Sequence, residues 1–258
     1  MSAPPPDSPA PGDAVQADWY ASAFDTLYPI LYAHRSVESA RQEAAFAIEQ
    51  LRLDERGVVL DLCCGGGRHL LHLAESCHEL IGLDYSADLL SIAREHLPGR
   101  VQLVRGDMRA LPFVGAFDAV ANFFTSFGYF QDESENRAVL ESLARALKPG
   151  GRFFMDYLNP DHLKNSLVPE SEREHEGLCI REKRWIDSER LRVNKTTRVY
   201  EGDTLRSTAS ESVRLYSLDE MRSLTADAGL LVEGVYGDYS AVAFGPEHPR
   251  MILVGQRS

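Results

Sequence analysis

The stretch Val58-Val59-Leu60-Asp61-Leu62-Cys63-Cys64-Gly65-Gly66-Gly67 constrains this chain more than any other. An apolar, β-branched run that ends in a carboxylate and then in three consecutive glycines reads as a buried parallel strand breaking into a tight turn. Leucines at helical spacing between Arg68 and Glu75 predict that the turn opens a helix, at whose N-terminal end backbone can approach a ligand closely. A dinucleotide fingerprint places its last small residue three positions past the second glycine, where helix must pack on strand. Counted from Gly65 and Gly67 that position is Leu70, which argues against NAD or FAD. Asp61, just before the glycines, would repel an anionic pyrophosphate and suits a ligand carrying positive charge.

Asp61-Leu62-Cys63-Cys64-Gly65-Gly66-Gly67 resembles the first motif of the class I S-adenosyl-L-methionine (SAM) dependent methyltransferases, roughly D-x-G-x-G-x-G. The chain departs from it at Cys63, where Gly is commoner, and at Gly66, where Thr or Ser is common; small residues are accepted at both. The resemblance implies an α/β fold, a doubly wound seven-stranded Rossmann-like sheet. It also implies SAM as cofactor, S-adenosylhomocysteine as product, and a cofactor site that includes Asp61, Cys63, Gly65 and Gly67.

The next segments extend the pattern. Glu79 to Asp84 reads as a second strand ending in a carboxylate, and an acid at a strand tip of a doubly wound sheet can accept both hydroxyls of a ribose. Ser86 and Asp88 read as cap and first turn of a helix running to His96, stopped by Pro98-Gly99. Val101 to Arg105 is a third strand with Gly106-Asp107-Met108 at its end, and Phe117 to Asn122 is a fourth whose tip faces the same crevice. By resemblance, Tyr85 packs on the adenine face and Asp107 and Met108 contact the adenine; Asn122 is placed with the cofactor residues. After Asn122 the run Phe123 to Phe130 sets four Phe and one Tyr in a loop, which either packs inward or lines a pocket. It resembles the loop beneath the transferred methyl group in small-molecule methyltransferases, which makes Phe127 and Tyr129 candidates for substrate binding. A helix from Ser134 to Leu147, the stop Lys148-Pro149-Gly150-Gly151 and a fifth strand from Arg152 to Tyr157 follow, and Tyr157 joins the substrate candidates.

On the N-terminal side, residues 1–16 are rich in Pro, Ala and Asp without periodicity and read as a disordered tail. From Trp19 to Tyr32 aromatics recur at helical spacing, mostly as core packing. The resemblance makes residues 17–56 a helical lid, with Tyr20 near the cofactor and Tyr28 near the substrate. A helix from Val37 to Leu51 leads into the core, residues 57–158. Between residues 159 and 216 the period changes to two, which predicts an antiparallel β insertion of three or four strands turning near Asp187-Ser188-Glu189 and Glu201-Gly202-Asp203. Residues 217–258 return to the core with a capped helix and two closing strands, Leu230 to Val235 and Met251 to Gly255.

Charge and cysteines bound the function. A formal net charge of -12 argues against nucleic acid, whose binding rests on clustered cations. A basic face of the insertion, with Arg181, Lys183, Arg184, Arg190, Arg192, Lys195 and Arg198, reads as solvated, with an RNA or protein acceptor, a cover over the substrate or a homodimer interface as sharper readings. No apolar run is long enough to span a bilayer and the N-terminal residues do not read as a basic-then-apolar signal sequence, so no membrane contact and a cytoplasmic location are expected. Cys63, Cys64, Cys77 and Cys179 lack metal-ligand spacing, so no metal is expected. The predicted activity is transfer of a methyl group to a small-molecule N or O acceptor, with a noncatalytic SAM-binding subunit as the alternative. Alignment and desolvation carry most of such a transfer, so a catalytic base is optional. His34, Tyr129, Asp156 and Tyr157 are the nearby candidates, none singled out, and the catalytic residue is unknown.

Overall fold

The computed structural model describes residues 15–25, 27–32 and 37–258. The expected tail, apart from its last two residues, and His34 lie outside the described residues.

The strands are β1 Val58–Leu62, β2 Glu79–Asp84, β3 Gln102–Arg105, β4 Phe117–Asn122, β5 Leu147–Leu158, β6 Glu170–His175, β7 Leu178–Asp187, β8 Arg192–Glu201, β9 Thr204–Arg214, β10 Leu230–Tyr236 and β11 Arg250–Arg257. Seven of them form one sheet in the order β10-β11-β5-β4-β1-β2-β3, and β6 to β9 form a second, four-stranded sheet. Strands β1 to β5 pair in parallel, whereas β11 runs antiparallel to both β5 and β10. Apolar side chains on both faces are what a parallel sheet sandwiched between helices demands. In β1, Leu60 and Leu62 belong to one core layer with Leu140 and Leu143, and Val59 belongs to the other with Phe46, Leu70 and Leu73.

The helices are α1 Tyr20–Ala23, α2 Tyr28–Leu31, α3 Val37–Leu51, α4 Leu70–Leu73, α5 Ala87–His96, α6 Glu133–Ala146, α7 Pro160–Ser166 and α8 Leu218–Asp227. Four differ from the sequence reading. The helix expected over Arg68 to Glu75 contracts to α4. The aromatic stripe forms two separate turns, α1 and α2. Helix α7 interrupts a region expected to hold strands only; its cap, Asn159 accepting from Asp161 N at 3.1 Å, and the following proline are ordinary helix-start signals. The Lys148–Gly151 stop is absorbed into β5, whose register with β4 shifts between Phe117↔Leu147 and Ala119↔Arg152. The insertion turns where expected, between Asp187 and Arg192 and between Glu201 and Thr204.

A polar link joins α3 to the start of α4. His69 Nε2 lies 2.7 Å from Glu43 Oε2, Arg68 reaches the same oxygen at 3.0 Å, and the His69 ring stacks on Phe123 at 3.9 Å. The carboxylate fixes the tautomer with hydrogen on Nε2. Burial, with Arg68 adding to it and Glu43 opposing it, pulls the His69 pKa down to about 4.

Two outcomes follow from this packing. Because His69 binds its proton more weakly folded than unfolded, its contribution is complete above about pH 6.5 and is lost as pH falls toward about 4, at up to ~1.4 kcal/mol per pH unit. Denaturation between pH 4 and 7 should show a steeper pH dependence for wild type than for His69→Gln, and parallel curves would refute the assignment. Gly255 sits opposite the β10 irregularity, where a Cβ would stand 1.9 Å from Leu231 O and 2.7 Å from a Phe153 ring carbon. Gly255→Ala should therefore lower unfolding free energy by about 2 kcal/mol or more, read from the denaturant midpoint.

Candidate active site

The glycine turn is held by the strand beside it. Cys64 N donates to Leu83 O at 3.0 Å, and Gly65 N donates to Asp84 Oδ2 at 2.8 Å. The other oxygen of Asp84 accepts from Ser86 N at 2.8 Å, so one carboxylate braces the turns after β1 and after β2. Each oxygen keeps further lone-pair capacity for a ligand. Gly65 and Gly67 adopt φ of +54° and +81°. Cys63 does so as well, at +62°, which explains why glycine is commoner there and means that this chain carries strain of about 1 kcal/mol or more.

The acids gather around this turn. Asp84 and Asp107 line one cavity with Cys63, whose thiol pKa is raised by burial and then by Asp84, Asp61 and Asp107. Burial and then Asp84 push the Asp61 carboxyl well above its usual range, with Arg68 opposing, and its Oδ2 is buried with no hydrogen-bond partner. At the tip of β4, Asn122 donates through Nδ2 to Leu62 O at 2.9 Å, while its Oδ1 is also buried without a partner. Two orphaned acceptors beside a turn with inward-facing backbone need a donor-rich, positively charged group. Asp107 is more committed: it accepts from Arg109 Nε at 3.0 and 3.1 Å and from Arg109 N at 2.9 Å, and after the opposing effect of burial these bonds hold its pKa below the usual range.

A cavity of about 520 Å³ opens on the turn. Its first half is lined by Cys63, Gly65, Asp84, Tyr85, Asp107 and Met108, all anticipated from the sequence, with Gly66 and Leu89. Its second half is aromatic: Phe123, Phe124, Tyr129 and Phe130 below, and Tyr20, Phe24, Tyr28 and Tyr32 above. Those last four are spaced by four residues, a regularity visible in the sequence; Tyr20 and Tyr28 are expected at the site, and Phe24 and Tyr32 join them. Arg68, His69 and Ser126 also reach the wall and were not anticipated; nothing in their local pattern marks them.

Five expected site residues stand off that wall. Asp61 and Asn122 lie buried behind it with the orphaned atoms just described. Gly67 turns its α-carbon toward α5, where a Cβ would meet Leu97 at 2.9 Å and Ala93 at 3.2 Å; it is a packing glycine. Phe127 and Tyr157 are fully buried in the core, their rings 6.2 Å apart and both beside Tyr216, and the Tyr157 hydroxyl donates to Arg214 O. The loop bends through positive φ at Phe124, Thr125 and Gly128, so its aromatics do not alternate as strand residues would. The candidate bases fare likewise. Asp156 is fully buried and accepts from Phe124 N, Tyr239 Oη and Arg250 Nε at 2.8, 2.6 and 2.6 Å. Tyr129 faces the cavity, but burial pushes its phenol well above the ordinary range, so it stays protonated. Among the described residues no helix is long and apolar enough to cross a membrane, and no cluster of potential metal ligands occurs.

Comparison with known proteins agrees with this geometry. Residues 59–151 match a methyltransferase domain family. A dTDP-3-amino-3,6-dideoxy-alpha-D-glucopyranose N,N-dimethyltransferase of Streptomyces fradiae is 36% identical over 53% of the chain; the chain spans about half, 53%, of that relative's length. The cypemycin N-terminal methyltransferase of a Streptomyces species is 29% identical over 80% of the chain and 84% of its own length. The structure of SAM-bound CalS10, an amino pentose methyltransferase from Micromonospora echinaspora, superposes with a TM-score of 0.69 at 23% identity, covering 90% of this chain and 97% of that one. The strand order and the glycine turn agree with the domain matched over residues 59–151, and the fold is that of the class I SAM-dependent methyltransferases.

Proposed function

We propose that this protein transfers a methyl group from SAM to the nitrogen of a small-molecule amine. The observation that carries the reading is a single cavity whose charged half, with orphaned acceptors behind it, opens directly into an aromatic half. Bound SAM supplies an electrophilic methyl carbon on a sulfonium. Asp84 would take the ribose hydroxyls with its remaining lone pairs, and Asp61 and Asn122 would receive the ammonium end. Tyr85, Leu89 and Met108 offer apolar surface for the base. The aromatic half excludes water from an amine and presents the hydroxyls of Tyr20, Tyr28 and Tyr129 to orient it. A protonated Tyr129 acts there as a hydrogen-bonding group, not as a base.

Nitrogen is favoured over oxygen because the relatives named above act on an amino sugar, a peptide N-terminus and an amino pentose, which share an aliphatic amine. The state of the insertion's cations favours a small acceptor over RNA. Arg181 pairs with Glu172 at 2.6 Å, Lys195 with Glu211 at 2.6 Å and Arg214 with Glu220 at 3.0 Å, while Arg184 and Arg206 pair with Glu182 and Glu201. Paired cations leave little field for a phosphate backbone.

Two measurements test the reading. Asp84→Ala removes charge-assisted bonds worth ~1.5–3 kcal/mol each, so its dissociation constant for SAM by calorimetry should rise by ~10²-fold or more. Unchanged affinity in a folded variant would overturn the ribose assignment. Offered an aminodeoxy sugar nucleotide and its hydroxyl counterpart, the wild-type protein should methylate only the amine; exclusive O-methylation, read by mass spectrometry, would overturn the choice of nitrogen.

A further inference from the structure

We propose that Arg192, at the start of β8 in the inserted sheet, is a positioning residue for the acceptor half of the cavity, setting the Gly128–Phe130 backbone so that Tyr129 faces the methyl acceptor. The proposal rests on the methyl-transfer reading above and deepens it. Arg192 is only 6% exposed. Its NH1 donates to Phe130 O at 3.0 Å, its NH2 to Gly128 O at 3.1 Å and Tyr129 O at 2.9 Å, and the fork is completed by NH2 to Ser212 O at 2.8 Å and Nε to Ser212 Oγ at 2.7 Å. Every one of these acceptors is a neutral oxygen. A buried guanidinium without a bonded carboxylate is an expensive way to fill space, and an apolar side chain would serve stability as well or better. What this group supplies is geometry: three successive carbonyls converge on one rigid fork that Lys, with three donors on a flexible stem, does not reproduce.

The surroundings direct the consequence to Tyr129. Gly128, at φ +78°, is wedged against the sheet by Arg214 N donating to its carbonyl at 2.8 Å, and a Cβ there would stand 3.2 Å from the Tyr157 hydroxyl. Trp19 Nε1 adds a long contact of 3.4 Å to Tyr129 O. With its backbone gripped on one side, Tyr129 projects to the other, where its ring lies 4.8 Å from Trp19 and stacks at 5.9 Å on Phe24. The same sheet grips the upper wall. Lys195 and Tyr32 both reach Glu211, and Arg173 donates to Leu31 O. The insertion thus holds both aromatic walls.

The test uses the full-length protein with Trp185→Phe, which leaves Trp19 as its single tryptophan. Arg192→Lys and Arg192→Met are expected to keep SAM affinity within about threefold of the parent, since the cofactor half is built elsewhere. Their Trp19 emission should shift to the red and become accessible to acrylamide. With an amine that the parent methylates, kcat should fall between about tenfold and a hundredfold while the KM for SAM stays unchanged. Should either variant fail to fold, Ser212→Ala, which removes one acceptor of the fork, should show the same direction in emission and kcat, about twofold to fivefold. Unchanged Trp19 emission and kcat in the folded variants would overturn the proposal, as would SAM affinity falling in step with kcat, which would make Arg192 general scaffold. Failure of the parent to methylate any amine would instead defeat the functional reading, and the fluorescence and SAM-binding arms would still decide whether Arg192 sets the loop.

Discussion

The two hydrogen bonds that Asp84 accepts, from Gly65 N and Ser86 N, are the constraint from which the rest of the cofactor half follows. They draw the turn after β1 against the turn after β2, where Asp84, Asp61 and Asp107 all raise the pKa of the Cys63 thiol after burial does. Left to themselves these acids repel, and burial penalises each charge, which is why the Asp61 carboxyl is shifted toward its neutral form. Such a site is held together by backbone N–H groups and is incomplete in charge. On the proposed reading a cationic ligand would supply the missing counter-charge, and burial that costs stability would then contribute to affinity.

This half was legible because its signals are local. A strand, its terminal acid and its turn occupy a few consecutive residues, and the β-α spacing repeats from Val58 to Met108. Leu70 excluded the dinucleotide alternative for a reason the structure bears out: it is fully buried between helix and sheet, in the layer shared with Val59 and Leu73. What the local pattern could not show was where each glycine faces. Gly67 packs on α5 while Gly66 reaches the cavity, and Cys63 takes a positive φ where the resembled motif commonly has glycine.

The acceptor half was legible only as a composition. Five aromatics between Asn122 and Gln131 announced that the loop must bury itself, yet positive φ at Phe124, Thr125 and Gly128 breaks any periodicity that would sort cavity-facing rings from core-facing ones. Tyr129 and Phe127 are two positions apart and end in different environments. The insertion's charges were opaque for a related reason. Alternation predicted strands but could not tell that Arg192 faces inward onto carbonyls 62 to 64 positions earlier in the chain, while Arg181 faces out onto Glu172 of the neighbouring strand.

The two halves therefore differ in how they are wired. The proposed cofactor contacts come from one continuous α/β stretch, whereas the proposed acceptor walls come from the segments around Trp19–Tyr32 and Phe123–Phe130 and are fastened by the separate sheet β6 to β9. The upper wall meets the cofactor half through Ser86 Oγ, which donates to Phe24 O at 2.6 Å, and through Tyr20, whose ring lies edge to face on Tyr85 at 6.0 Å. Separation of this kind lets the strands and turn that hold the donor stay constant while the frame around the acceptor changes. It also makes the frame the sensitive element. A wall residue such as Phe24 or Phe123 exchanges apolar contacts of modest individual worth, but a buried guanidinium bonded to neutral oxygens is costly to displace: when its fork is not filled a charge is left unpaired, and Gly128, Tyr129 and Phe130 lose the group that draws their carbonyls together.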